Sequence, residues 1–169
     1  LHVALGPGEE TVFVGHHAVV AAQAFTKRPV GLGGEADHLY ACALRELWEE
    51  TGLLLAVDPD GQPAPAAAMP PPGGAPLGEH LAAAGLALDA SRLRFAGRWL
   101  TPPLGAFRYD NRFFLEAWQT DDGEPRHFPP ESEAGAWVRP REAIARWERA
   151  ALLTAPPILH LLDRLAGDG

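Results

Sequence analysis

The stretch ALRELWEETGLLL, Ala43 to Leu55, sets one arginine and three glutamates into a segment with helical spacing. At about 100° per residue, Tyr40, Ala43, Leu44, Leu47 and Trp48 share one broad apolar face that must pack into a core. The spacing predicts a helix from about Asp37 to Thr51, with Gly52 placed to end it. Glu46, Glu49 and Glu50 fall together on the opposite side, and both Glu46–Glu49 and Glu46–Glu50 are neighbours in space. Each like-charge pair costs a few tenths of a kcal/mol on an exposed helix. A solvated face would intersperse Lys or Arg, and here only Arg45 is near. Two readings are open at this level. One is an acidic surface face; the other is a site for a hard divalent cation, Mg²⁺ or Mn²⁺, which takes oxygen ligands at close spacing.

Around this helix the pattern changes. TVFVGHHAVVAAQAF reads as one or two strands broken near Gly15, and TKRPVGLGGEAD as a loop. A Pro/Ala/Gly-rich stretch at about residues 58–79 is expected to be a surface loop or insertion, followed by a short helix in EHLAAAGLAL. RLRFAGRWLTP, RYDNRFFLEAWQT and AGAWVRP read as strands. REAIARWERAALL and PPILHLLDRLAG read as two closing helices, the last opened by Pro156 and Pro157. Strands before and after a central helix, with helices at the end, give an α/β or α+β sandwich, here as a single domain over residues 1–169.

Composition narrows the function classes. A net charge of −8 argues against a general nucleic-acid binder, which needs a basic face. It is compatible with small phosphorylated ligands, because a metal ion can supply positive charge locally. With Cys42 the sole cysteine there is no internal disulfide and no thiolate zinc cluster. No window is long and apolar enough to span a membrane, and no basic-then-apolar leader opens the chain. A cytoplasmic protein is the expectation.

Gly31, five residues, Asp37, seven residues and then RELWEETGL closely resemble the Nudix box, Gly-x5-Glu-x7-Arg-Glu-U-x-Glu-Glu-x-Gly-U with U aliphatic. Arg45, Glu46, Leu47, Glu49, Glu50, Gly52 and Leu53 match in order. The resemblance implies the Nudix fold, a mixed β-sheet sandwiched between α-helices. It implies Mg²⁺-dependent hydrolysis of a nucleoside diphosphate linked to some other group, a small-molecule nucleotide substrate, and homodimers as a common assembly. By position, Glu49 and Glu50 correspond to the main Mg²⁺ (or Mn²⁺) ligands. Glu46 corresponds to a further ligand or the base that takes a proton from the attacking water. Arg45 corresponds to the residue that holds the cluster by pairing, and Gly31 to a backbone position beside the substrate phosphates. The chain departs from the pattern at Asp37, one methylene shorter than glutamate, and in the glycine approach, where the usual Pro-Gly-Gly is replaced either by a degenerate VVAAQAF (Val19 to Phe25) followed by an insertion or by GLGG (Gly31 to Gly34). These departures favour a rival reading, a non-catalytic Nudix-fold module that senses a nucleotide; the intact glutamates argue against it.

GRWLTPPLGAFRYDNRFFLEAW resembles a segment of a longer Nudix branch that includes diphosphatases acting on coenzyme A, through Trp99, Thr101, Pro102, Arg108, Tyr109, Asp110, Phe113 and Phe114. Arg108 and Arg112 are candidates to grip a substrate phosphate, since guanidinium forks suit that geometry; pairing with Asp110 or Glu116 is the structural alternative. Trp99, Trp118 and Phe114 could stack on a base, although at strand spacing such residues are more often core. Many family members place a further acidic residue across from the box, and of Glu131 and Glu133 we select Glu133 as ligand or base. Adjacent His16 and His17 point to opposite faces of a strand and are read as structural or surface residues. Cys42 is read as a small packed residue.

Overall fold

The computed structural model describes residues 3–5, 12–15, 35–65, 74–103, 109–117, 123 and 135–167. Strands β1 (Val3–Leu5), β2 (Val12–Gly15), β5 (Arg94–Leu100), β6 (Asp110–Ala117) and β7 (Gly135–Val138) form one sheet in the order β5-β6-β1-β2-β7. The β1–β6 pair is parallel and the other pairs are antiparallel, so the sheet is mixed. Helix α1 (Glu35–Thr51) lies between the second and third strands in sequence. Helices α3 (Pro140–Glu148) and α4 (Pro156–Gly167) close the chain.

Successive residues of a strand point to opposite faces, and Phe113 and Phe114 of β6 show what that does here. Phe114 joins Tyr40, Ala43, Leu44 and Leu47 of α1 in one core cluster, with its ring 5.4 Å from that of Tyr40. Phe113 joins Val138, Ala143, Ile158, Leu161 and Leu162, the cluster built by α3 and α4. Helices therefore cover both faces of the mixed sheet, the sandwich expected. All five residues of the apolar face of α1 are buried. Burying such side chains stabilises by roughly 1.5–3 kcal/mol each, far more than the glutamate repulsion costs.

The end of α1 is tightly specified. Gly52 adopts φ 73° and its N–H donates to the Trp48 carbonyl at 2.8 Å. Thr51 Oγ1 donates to the Leu47 carbonyl and accepts from the Leu53 N–H. Only glycine takes that φ without steric cost, so the glycine of the box is a helix terminator here.

The Pro/Ala/Gly-rich stretch is more structured than expected. Two-residue strands β3 (Ala56–Val57) and β4 (Ala87–Leu88) pair, and Val57 bridges to Pro63 across a turn. The Asp58 carboxylate ties that turn by accepting from the Asp60 and Gln62 N–H groups, both at 2.9 Å. Helix α2 (Leu77–Ala84) starts inside the span read as loop, because Leu77 and Leu81, one helical turn apart, both bury against Trp48. Residues 66–73 of the stretch lie outside the described residues. Among the described residues no helix is long and apolar enough to cross a membrane.

Candidate active site

The glutamates of α1 lie away from its apolar face, yet two of them are not at the surface. Glu46 is 6% exposed and Glu50 7%, while the Glu49 side chain is 35% exposed. Burying a carboxylate is costly unless a cation or donors compensate it. Part of the compensation is visible: Arg45 donates from Nη2 to Glu46 and from Nη1 to Glu49. Partial desolvation pulls the Arg45 pKa down, but the hydrogen bond to Glu49 and the charges of Glu46 and Glu49 outweigh it, and the guanidinium ends above its ordinary value.

Among the described residues, no three His, Cys, Asp or Glu side chains converge as a ready-made metal-holding group. Arg45, engaging both Glu46 and Glu49, supplies the positive charge between them in this arrangement. By donor chemistry the residues still fit Mg²⁺ or Mn²⁺: all three are carboxylates at helical neighbour spacing, two are buried, and neither sulfur nor imidazole intrudes. Cys42 packs against the core cluster beneath α1, the role read for it. Asp37 lies in the first turn of α1, and the side chains described there begin at His38.

The other sequence-derived candidates divide. Gly31, Arg108 and Glu133 lie outside the described residues, as do His16, His17, Trp118 and Glu131. Arg112 lies in β6 with its side chain 9% exposed; it donates to the Asp110 carboxylate and, at 3.0 Å, to the Asp110 carbonyl. Glu116, the other partner considered for it, is ion-paired with Arg92 instead. In a strand, residues four apart stand roughly 13 Å from one another, so Arg112 reaches Asp110 and Glu116 does not compete. Trp99 and Phe114 pack into the two sheet cores.

Arg98 of β5 was not singled out from the sequence. It holds Asp110 through Nε and Nη2, both at 2.7 Å, from the neighbouring strand. The hydrogen bonds from Arg98 and Arg112 hold the Asp110 carboxyl down to about 2, and the Arg98 guanidinium is raised by the same bond. The signal that finds Arg98 is the pairing of β5 with β6, which places it directly opposite Arg112.

A mixed sheet between helix layers, with a glutamate-bearing helix closed by a left-handed glycine, defines the class to which this protein belongs, and comparison with known proteins makes it specific. No protein-family model matches the chain. The chain is similar to the acyl-coenzyme A diphosphatase NUDT19 of Gallus gallus, at 31% identity over 166 residues, which covers 82% of this chain and 43% of that protein. It thus spans less than half the length of that relative. It also superposes on a crystal structure of a NUDIX hydrolase from Alicyclobacillus acidocaldarius with a TM-score of 0.77 and 29% identity, covering 98% of this chain and 87% of that one. The chain belongs to the Nudix hydrolase superfamily.

Proposed function

We propose that this protein hydrolyses the diphosphate bond of a nucleoside diphosphate derivative in a Mg²⁺- or Mn²⁺-dependent reaction, with substrates of the coenzyme A class first among those to be tested. The observation that carries the reading is the burial of two carboxylates, Glu46 and Glu50, on the same side of α1 as Glu49, with Arg45 pairing Glu46 and Glu49. The likeness to an acyl-coenzyme A diphosphatase supports the substrate class.

Glu49 and Glu50 would hold the cation, with Glu46 beside them, and the bound cation would supply positive charge against the diphosphate oxygens. Glu46 takes the proton from the attacking water, whose oxygen bonds to one phosphorus as the bond from that phosphorus to the bridging oxygen breaks. Arg45 orients the base by pairing with it while also gripping Glu49. Glu133 is retained as a second acidic group, and Gly31 and Arg108 as substrate contacts, on the family resemblance alone.

The test is hydrolysis of a panel holding coenzyme A, an acyl-coenzyme A, ADP-ribose, NADH and a diadenosine polyphosphate, with and without Mg²⁺, products identified by mass. Cation-dependent cleavage at the diphosphate, abolished in Glu49→Gln, is the expected result. Binding of a panel member by folded, metal-loaded protein without turnover would replace this reading by a nucleotide-sensing module, with Asp37 as the residue to restore to glutamate.

A further inference from the structure

β5 is an outermost strand of the mixed sheet, and among the described residues no strand pairs with its free edge. A row of unpaired backbone N–H and C=O groups is a template for another strand. The edge is open to solvent: Phe95 is 41% exposed, Leu100 50%, and the Arg98 side chain 56%. Gly97 sits at its centre. Its chain neighbours aside, no atom lies within 4 Å of where a Cβ on Gly97 would stand, and its φ is not positive. Neither packing within one copy nor backbone conformation therefore requires glycine there. A glycine inside a strand often marks a place where another backbone comes close.

Register shows which partner the edge suits. Phe95 lies opposite Phe114 and Arg98 opposite Arg112, so both stand on one face of the sheet. Arg94, Gly97 and Trp99 lie opposite Leu115, Phe113 and Asn111 and stand on the other face. Ala96 is the extra residue of the bulge between Phe95 and Gly97. An antiparallel copy of β5 with the two-fold axis at Gly97 sets glycine against glycine. Passing the bulge, it sets Arg98 against the partner's Phe95 and Trp99 against the partner's Arg94, each pair on a common face. Both pairs match a guanidinium to an aromatic ring, a favourable contact, and no arginine opposes an arginine. The bonds from Arg98 to Asp110 are retained and hold the guanidinium in place. Other registers fit worse. An axis at Arg98 opposes the two Arg98 side chains, and an axis between Gly97 and Arg98 opposes residues that stand on different faces.

We propose that two copies of this chain pair through β5, antiparallel about Gly97, and so join their sheets into one. The two-fold contact uses the free edge of β5 in both copies and closes, leaving no such edge for further addition. Pairing of this kind needs neither metal nor substrate, so it stands or falls apart from the hydrolysis proposed above. A single strand pair is a small interface, under the roughly 1,200 Å² of total surface that stable complexes bury. The equilibrium therefore belongs in the micromolar-to-millimolar range.

Sedimentation velocity of the full chain across that range, in chelator, should show a reversible monomer–dimer equilibrium. Gly97→Asp and Gly97→Lys each place like charges on the axis and should weaken the dimer at least about fivefold. An equal mixture of the two should restore it, because opposite charges then meet. Both variants should melt close to the wild type, since the Cβ position is open within one copy. Arg94→Glu, at an exposed side chain, should weaken the dimer about tenfold by removing a guanidinium–ring contact on each copy. A chain that stays monomeric throughout the range overturns the proposal. So does a dimer equally strong in Gly97→Asp, Gly97→Lys and Arg94→Glu, which would put self-association on another surface. Weakening in both Gly97 variants without recovery in their mixture overturns it as well, because position 97 then does not face itself.

Discussion

On α1 the Glu46 and Glu49 carboxylates share the Arg45 guanidinium; on the β5–β6 hairpin the Arg98 and Arg112 guanidinia share the Asp110 carboxylate. The two clusters follow the same rule with opposite sign, and they differ in burial. Glu46 and Glu50 are almost wholly withdrawn from water, where repulsion is poorly screened and uncompensated charge is expensive. Arg98 is more than half exposed, so its repulsion with Arg112 is softened by solvent and salt. Buried carboxylates are costly unless donors or cations compensate them, and the divalent cation proposed for this site would do so.

The largest effect should come from the helix. Glu46→Gln should lower kcat by about 10²–10⁴-fold, the usual range for losing a general base, and Glu49→Gln should abolish cation dependence. Each variant removes a like charge and also one of the two ion pairs to Arg45, so in chelator each should melt close to the wild type; a large loss of stability with activity retained would recast the cluster as structural. Next in size is Gly52→Ala. The residue holds φ 73° at the end of α1, a conformation that costs an L side chain about 1–2 kcal/mol, readable as a lowered denaturation midpoint. If the variant melts like the wild type, the helix end is less tightly specified than its hydrogen bonds indicate.

The smallest effect belongs to the hairpin and depends on pH. The Asp110 carboxyl is held down to about 2, below its ordinary 3.8, first by the bond from Arg98 and then by that from Arg112. A lowered folded-state value means that the ion pairs contribute stability above about pH 4 and lose it as pH falls toward about 2. Asp110→Asn should therefore be slightly less stable than the wild type at neutral pH, and the gap should close across that window. A gap that persists unchanged at pH 2 would show that shape, and not charge, sets the role of Asp110. The effect should be small because the group is solvent-screened.

How much of this could be read from residues alone follows from what each feature depends on. The apolar face of α1 is periodic within one helix, so Tyr40, Ala43, Leu44, Leu47 and Trp48 were identified from spacing and all are buried. The same spacing places Glu46 and Glu50 off that face but says nothing of what covers them, and their burial emerges only in three dimensions. Arg98 was missed for a different reason. Its opposition to Arg112 depends on strand register, and a β-bulge between Phe95 and Gly97 shifts that register by one residue. Such a shift changes every cross-strand pair beyond it, and no local pattern announces it. The β3–β4 pair has two residues in each strand, too few for any alternation to show.

The central claim is that the glutamates of α1 are gathered for a divalent cation. Titration of Mn²⁺ into the chelator-treated protein, followed by loss of the free-ion electron paramagnetic resonance signal, tests it without reference to any substrate. A saturable site on the wild type, weakened by at least about tenfold in both Glu49→Gln and Glu50→Gln, is the expected result. Equal Mn²⁺ affinity in all three proteins would contradict the claim and leave α1 with an acidic face that binds nothing.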